Sequence, residues 1–144
     1  MPELSTTTEP QNTSQLTTAN LNGVFDLDAL VDRCMGDASL AAKLLGRFGE
    51  RLLTSVAEIE TSLAAGDRSE VLKQAHTLKG EAGSLSAVRL QQAAAELETR
   101  LRNAHDVPDP QVARLAAALS SAADQCRQRL PKALDALSTS ANQA

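Results

Sequence analysis

The chain has 144 residues and a net charge of −4, and 42% of its residues are hydrophobic but only 1% aromatic. That length suits one domain of ordinary size, with a core that needs no disulfide or metal staple. A weakly acidic chain without a basic block lacks the electrostatic footprint of a nucleic-acid or anionic-membrane binder, and no apolar run approaches a membrane span.

Ala, Leu, Arg, Gln and Glu dominate, and these are strong helix formers. Strand formers are scarce outside the Thr-rich N-terminus, so the fold class is all-α. Residues 1–21 are polar, with almost no apolar content, and read as a disordered tail. They also lack the basic n-region and apolar h-region of a secretory signal. Residues 138–144 read as a second polar tail, which leaves a helical domain over 22–137.

The first predicted helix is short. Asp26 caps it, Leu27, Leu30, Val31 and Cys34 form its apolar side, and Gly36 ends it. The second opens at Asp37 and runs through Leu40, Leu44, Phe48, Leu52, Val56, Ile59 and Leu63 to Gly66. The third starts from Asp67 and carries Val71, Ala75, Leu78, Ala82 and Leu85. After a turn at Ser84–Ser86, the fourth carries Leu90, Ala93, Leu97, Leu101 and Ala104. Asp109 and Pro110 give the fifth a cap followed by proline at its first position. Its apolar side is Val112, Leu115, Leu119, Ala122, Cys126 and Leu130. Pro131 removes a backbone donor and should kink or end this helix, but the rhythm resumes at Leu134 and Leu137, so a kink or a restart is expected there. Four long amphipathic helices with short connections predict an antiparallel up-down bundle, with the short helix capping one end. Cys34 and Cys126 stand apart in helical patterns, as expected of small reduced core residues rather than a disulfide or metal site. Together these features predict a cytoplasmic protein.

The third helix carries the chemistry. At 100° per residue its apolar positions fall within roughly 80° of one another, while His76 lies about 140° from their mean direction. His76 therefore faces outward, with Leu72, Lys79, Gly80 and Gly83 on its own side. Glycine on an exposed helical face costs about 1 kcal/mol relative to alanine, so two of them there are not a choice made for stability. They leave the surface around the imidazole low, where another backbone can approach. Lys79 adds a flexible cation within reach of anything bonded to His76. A lone exposed histidine is most often a solvated surface group. The glycines and the lysine at helical spacing set His76 apart from His105, which sits in a polar loop with no such surround.

The run His76-Thr77-Leu78-Lys79-Gly80 resembles the signature of histidine-containing phosphotransfer domains. The resemblance extends from Phe25-Asp26-Leu27 to the helix ending near Leu137. It takes in Phe48, the Ala64-Ala65-Gly66-Asp67 turn, Leu90 and the pair Leu97-Glu98. It implies a helical bundle in which His76 is phosphorylated and Lys79 stabilises the charge of the phosphoryl group. Gly80, Gly83 and Leu72 would then belong to the docking surface. Glu98 falls where the family often places a polar side chain that hydrogen-bonds the imidazole. The chain departs from the pattern at Ser86, where the family commonly has glycine, and at Glu81, where small residues are usual. By angle Glu81 points away from His76.

The implied cycle takes a phosphoryl group from a receiver-domain aspartate of a hybrid histidine kinase onto His76. It then passes the group to the receiver aspartate of a response regulator. The receiver would supply the divalent metal, and no cofactor is expected in this chain. No Gly-x-Gly-x-x-Gly run, phosphate-binding Gly-Lys-Ser/Thr loop or kinase catalytic loop is present, so the chain reads as a transfer protein and not an autonomous kinase. A self-contained core with an exposed glycine face favours a monomer. The main competing reading is an adaptor or kinase-inhibitor bundle that docks on signalling proteins without being phosphorylated, and a third is a structural helical bundle with no relay function.

Overall fold

Four aspartates set where helices begin. In the computed structural model, which describes residues 23–103 and 109–143, Asp26 accepts from the Ala29 N–H at 3.1 Å and Asp37 from Leu40 at 3.0 Å. Asp67 accepts from Glu70 at 3.1 Å, and Asp109 from Gln111 and Val112 at 2.7 and 3.3 Å. Each bond satisfies a backbone donor that the first turn of a helix would leave unpaired. The helices that follow are α1 (Leu27–Arg33), α2 (Ala38–Ala64), α3 (Arg68–Ser84) and α5 (Pro110–Gln143), with α4 (Val88–Asn103) between the last two. No strand occurs among the described residues.

Three connections close with the same pair of reversed hydrogen bonds, and each has a residue in the left-handed region. After α1 the left-handed residue is Met35 at φ 57°, followed by Gly36 at 85°; after α2 it is Gly66 at 72°; after α3 it is Ser86 at 57°. At the α3–α4 turn, the Ala87 N–H reaches the Ala82 carbonyl at 2.9 Å and the Ser86 N–H reaches Gly83 at 3.1 Å. Ser86 thus adopts the backbone that glycine favours, and the turn keeps the form expected of a glycine there. It is buried, and its hydroxyl has no partner in the protein.

The four long helices form an antiparallel ring in which α2 and α4 each pack against both α3 and α5. Val24 and Phe25 are buried ahead of α1, and the Asp26 N–H donates to the Ser86 carbonyl at 2.9 Å. This bond ties the N-terminal lead-in and α1 to the end of the bundle that carries the α3–α4 turn. The core is built almost wholly from Leu, Ala and Val around Phe48 and Ile59. Both cysteines lie in it unpaired, and burial pushes the Cys126 thiol up to about 12. No helix among the described residues is long and apolar enough to cross a membrane.

Three expectations need correction. The buried side of α2 begins with Ala38, Ala41 and Leu45, while Leu40 and Leu44 are exposed. A step of four residues overshoots one side of a helix by about 40°, so a run of fours drifts off the core; the alternating 38, 41, 45, 48, 52 does not. In α4 the buried small residue is Ala94 rather than Ala93. Helix α5 does not restart after Pro131 or stop near Leu137 but runs as one helix to Gln143. Cys126, Ala133 and Leu137 are buried on either side of Pro131 and hold the helix by packing. Beyond Leu137 no glycine or proline interrupts it, and Ala141 packs against the core. Residues 1–22 and 104–108, including the predicted N-terminal tail, Ala104 and His105, lie outside the described residues.

Candidate functional site

Val71, Ala75, Leu78 and Ala82 turn one side of α3 into the core. The opposite side carries His76 outward, with its side chain 63% exposed. Beneath the ring lies Glu98 of α4, whose side chain is only 5% exposed. It occupies a position between Ala94 and Leu101 on the buried side of its helix.

An ionised carboxylate at such depth needs partners for its lone pairs, and Glu98 has three. Its Oε2 lies 2.7 Å from His76 Nδ1 and 2.8 Å from a terminal guanidinium nitrogen of Arg102. Its Oε1 lies 2.6 Å from Lys79 Nζ. These contacts decide its ionisation. The Lys79 ammonium and then the Arg102 guanidinium hold the Glu98 carboxyl well below its usual range, at about 2, against the opposing effect of burial, with a further contribution from His76. Glu98 is therefore an acceptor at neutral pH, and an acceptor requires the hydrogen on Nδ1 of the imidazole. In the neutral ring the lone pair then sits on Nε2, on the side away from Glu98.

Lys79 is not the free, solvent-facing cation that its helical position suggests. It is 34% exposed and engaged by Glu98. Among the described residues no cluster of three or more His, Cys, Asp or Glu side chains could hold a metal ion.

The bundle and this surface can be set beside known proteins. The family model for the Hpt domain matches residues 43–140. The chain belongs to the Hpt domain family. A crystal structure of the Hpt domain from an Hpt sensor hybrid histidine kinase of Shewanella superposes with a TM-score of 0.61 at 22% identity, covering 76% of this chain and 95% of that one. At that identity the likeness concerns the fold. No curated protein matches the chain. Hpt domains act in histidine phosphotransfer within two-component signalling and interact with receiver domains of kinases and response regulators.

Around the histidine of this Hpt domain the other expected residues are placed differently from one another. Gly80 is exposed, and a Cβ added there would meet nothing within 4 Å. Gly83 is covered: a Cβ would come within 2.7 Å of the Gln91 side-chain amide of α4. Its lack of a side chain makes room for Gln91 rather than for open approach. Leu72 is half-buried against the core. Glu81 points away from His76, as its angle requires, and pairs with Arg51 of α2 at 3.3 Å. Arg102 was not among the residues that sequence reasoning singled out. Its signal was present in the spacing, because Glu98 and Arg102 stand four apart on a helix, where opposite charges meet.

Proposed function

We propose that this Hpt domain is a phosphorelay intermediate that accepts a phosphoryl group on His76 Nε2 from a receiver aspartate and passes it to the aspartate of another receiver. The observation that carries the reading is the 2.7 Å contact between His76 Nδ1 and the buried Glu98 carboxylate, under a ring that is otherwise exposed. A carboxylate fixed at Nδ1 chooses the tautomer whose nucleophilic nitrogen faces the partner.

In the accepting step the Nε2 lone pair attacks the phosphorus of the aspartyl phosphate. The N–P bond forms as the P–O bond to the aspartate breaks, and the aspartate leaves as a carboxylate with the bonding pair. The imidazole keeps its Nδ1 hydrogen and becomes positively charged. Glu98 sits where that charge develops and stabilises it, as a buried carboxylate does for a histidine in other transfer reactions. Lys79 offers a cation to the phosphoryl oxygens, which carry the negative charge of the transition state. The onward step runs in reverse, with the second aspartate as nucleophile. The divalent metal and acidic pocket belong to the receiver. Gly80 leaves open space beside His76, so the partner's backbone can come close enough for in-line transfer. Leu72 borders the same docking face. The setting is the cytoplasm, with the domain acting as a monomer.

The test is transfer from a purified receiver domain, charged on its aspartate with labelled acetyl phosphate. Label that moves to this chain and is stable to alkali but lost in acid supports the reading. A chain that binds the receiver without taking label is an adaptor instead.

A further inference from the structure

Lys79 has two claims on it. In the resting structure it neutralises the buried Glu98 carboxylate from 2.6 Å. To serve the phosphoryl group it must leave that carboxylate. Removing one partner from a buried charge is costly, unless another cation stays behind.

Arg102 stays behind. Its guanidinium contacts Oε2, the same Glu98 oxygen that His76 holds, while Lys79 is on Oε1. The two cations therefore do not compete for one acceptor. Arg102 comes from α4, one turn beyond Glu98, whereas Lys79 and His76 come from α3. A movement of Lys79 toward the phosphoryl group leaves the Glu98–Arg102 pair within a single helix undisturbed. The charges balance as well. In the form able to attack, the carboxylate faces two cations and a ring with a free Nε2 lone pair; after attack it faces Arg102 and a positively charged ring. Lys79 is then surplus at Glu98, as two negative charges arrive on the phosphoryl oxygens.

We propose that Arg102 is a positioning residue of the transfer site, which keeps Glu98 in place against His76 while Lys79 passes from the carboxylate to the phosphoryl group. This rests on the reading that His76 is the phosphorylated residue. It adds a residue that touches neither substrate nor the reacting nitrogen and acts through Glu98 and Lys79. Without Arg102, Lys79 would be the only cation left on Glu98 at rest, and its release would be resisted.

The experiment is a double-mutant cycle on transfer from a charged receiver domain that labels the wild-type chain, read as the rate at saturating receiver. Arg102 is 58% exposed, so its substitution spares the core. Arg102→Gln is expected to slow the saturated rate roughly fivefold, within the range of coupled neighbours. Arg102→Lys should recover most of it. In a Glu98→Gln background, Arg102→Gln should cost less than about twofold, because there is no longer a carboxylate for Arg102 to hold or for Lys79 to leave. A general structural role would give the same factor in both backgrounds, and that result overturns the proposal. So does an Arg102→Gln protein with the wild-type rate. A wild-type chain that takes no label on His76 from any charged receiver removes the phosphotransfer reading itself, and this inference with it.

Discussion

A carboxylate that serves an imidazole and two cations cannot be exchanged for an amide without changing all three. In Glu98→Gln the amide can present its NH2 to Nδ1, which favours the opposite tautomer and puts the hydrogen on Nε2. Saturated transfer is expected to fall by about tenfold or more, at least ~1.4 kcal/mol of barrier. Nitrogen NMR of the His76 ring should show the loss of the Nδ1–H form in the same variant. Lys79→Ala should slow saturated transfer by roughly tenfold with little change in receiver affinity, because its charge acts mainly on the transition state. Lys79→Arg should retain most of the rate. A Lys79→Ala protein that loses affinity but keeps its saturated rate would make Lys79 a docking residue. At this scale helical angle was enough to put His76, Lys79 and Gly80 on one face, since 100° per residue fixes which side chains lie together. It could not show that Lys79 is tethered, because the tether comes from another helix 19 positions along the chain. Glu98 was legible only through family resemblance. By periodicity it lies on the apolar side of α4, where a charge reads as an interruption until its partners from α3 are known.

Four of the five helix starts were legible to the residue, because an aspartate cap is a local interaction within four positions; the start of α4, which has no such cap, was not. Helix ends and sides were less so. Three glycines that look alike in sequence show why. A Cβ at Gly80 meets open space, one at Gly83 meets the Gln91 amide, and one at Gly49 would overlap the Leu130 side chain of α5. Gly80→Ala is expected to raise stability by up to about 1 kcal/mol. Gly49→Ala should gain nothing, because Leu130 must repack to admit it. Chemical denaturation of the two proteins checks the contrast, and equal gains would show that Leu130 moves aside freely. Gly80→Gln should likewise keep the fold while slowing transfer sharply, by holding the partner's backbone away from His76. Ser86→Gly should stabilise the α3–α4 turn by up to about 1 kcal/mol, because it relieves a left-handed residue and removes an unpartnered hydroxyl from a buried site. The continuity of α5 through Pro131 was beyond local reading. Proline chemistry argues for a break there, and only the burial of Ala133 and Leu137 against the rest of the bundle outweighs it.

The packing of α3 against α4 brings the charges of the site together and links them to the stability of the whole domain. Glu98 has a carboxyl depressed from its ordinary 4.5 to about 2 in the folded chain. A depressed folded value means that its contribution is fully present above the unfolded value and is lost as pH falls through the folded one. The stability advantage of the wild-type chain over Glu98→Gln should therefore hold steady at neutral pH and shrink between about pH 4.5 and 2. Denaturation curves of both proteins across that window measure it, and an advantage independent of pH would mean that the cations do not stabilise the carboxylate. The central claim is that the exposed imidazole on α3 is the group that carries phosphate. The most direct measurement follows label from a charged receiver domain into three proteins: wild type, His76→Gln and His105→Gln. The expected result is acid-labile, alkali-stable label in the wild-type and His105→Gln chains and none in His76→Gln. Equal labelling of His76→Gln would contradict it.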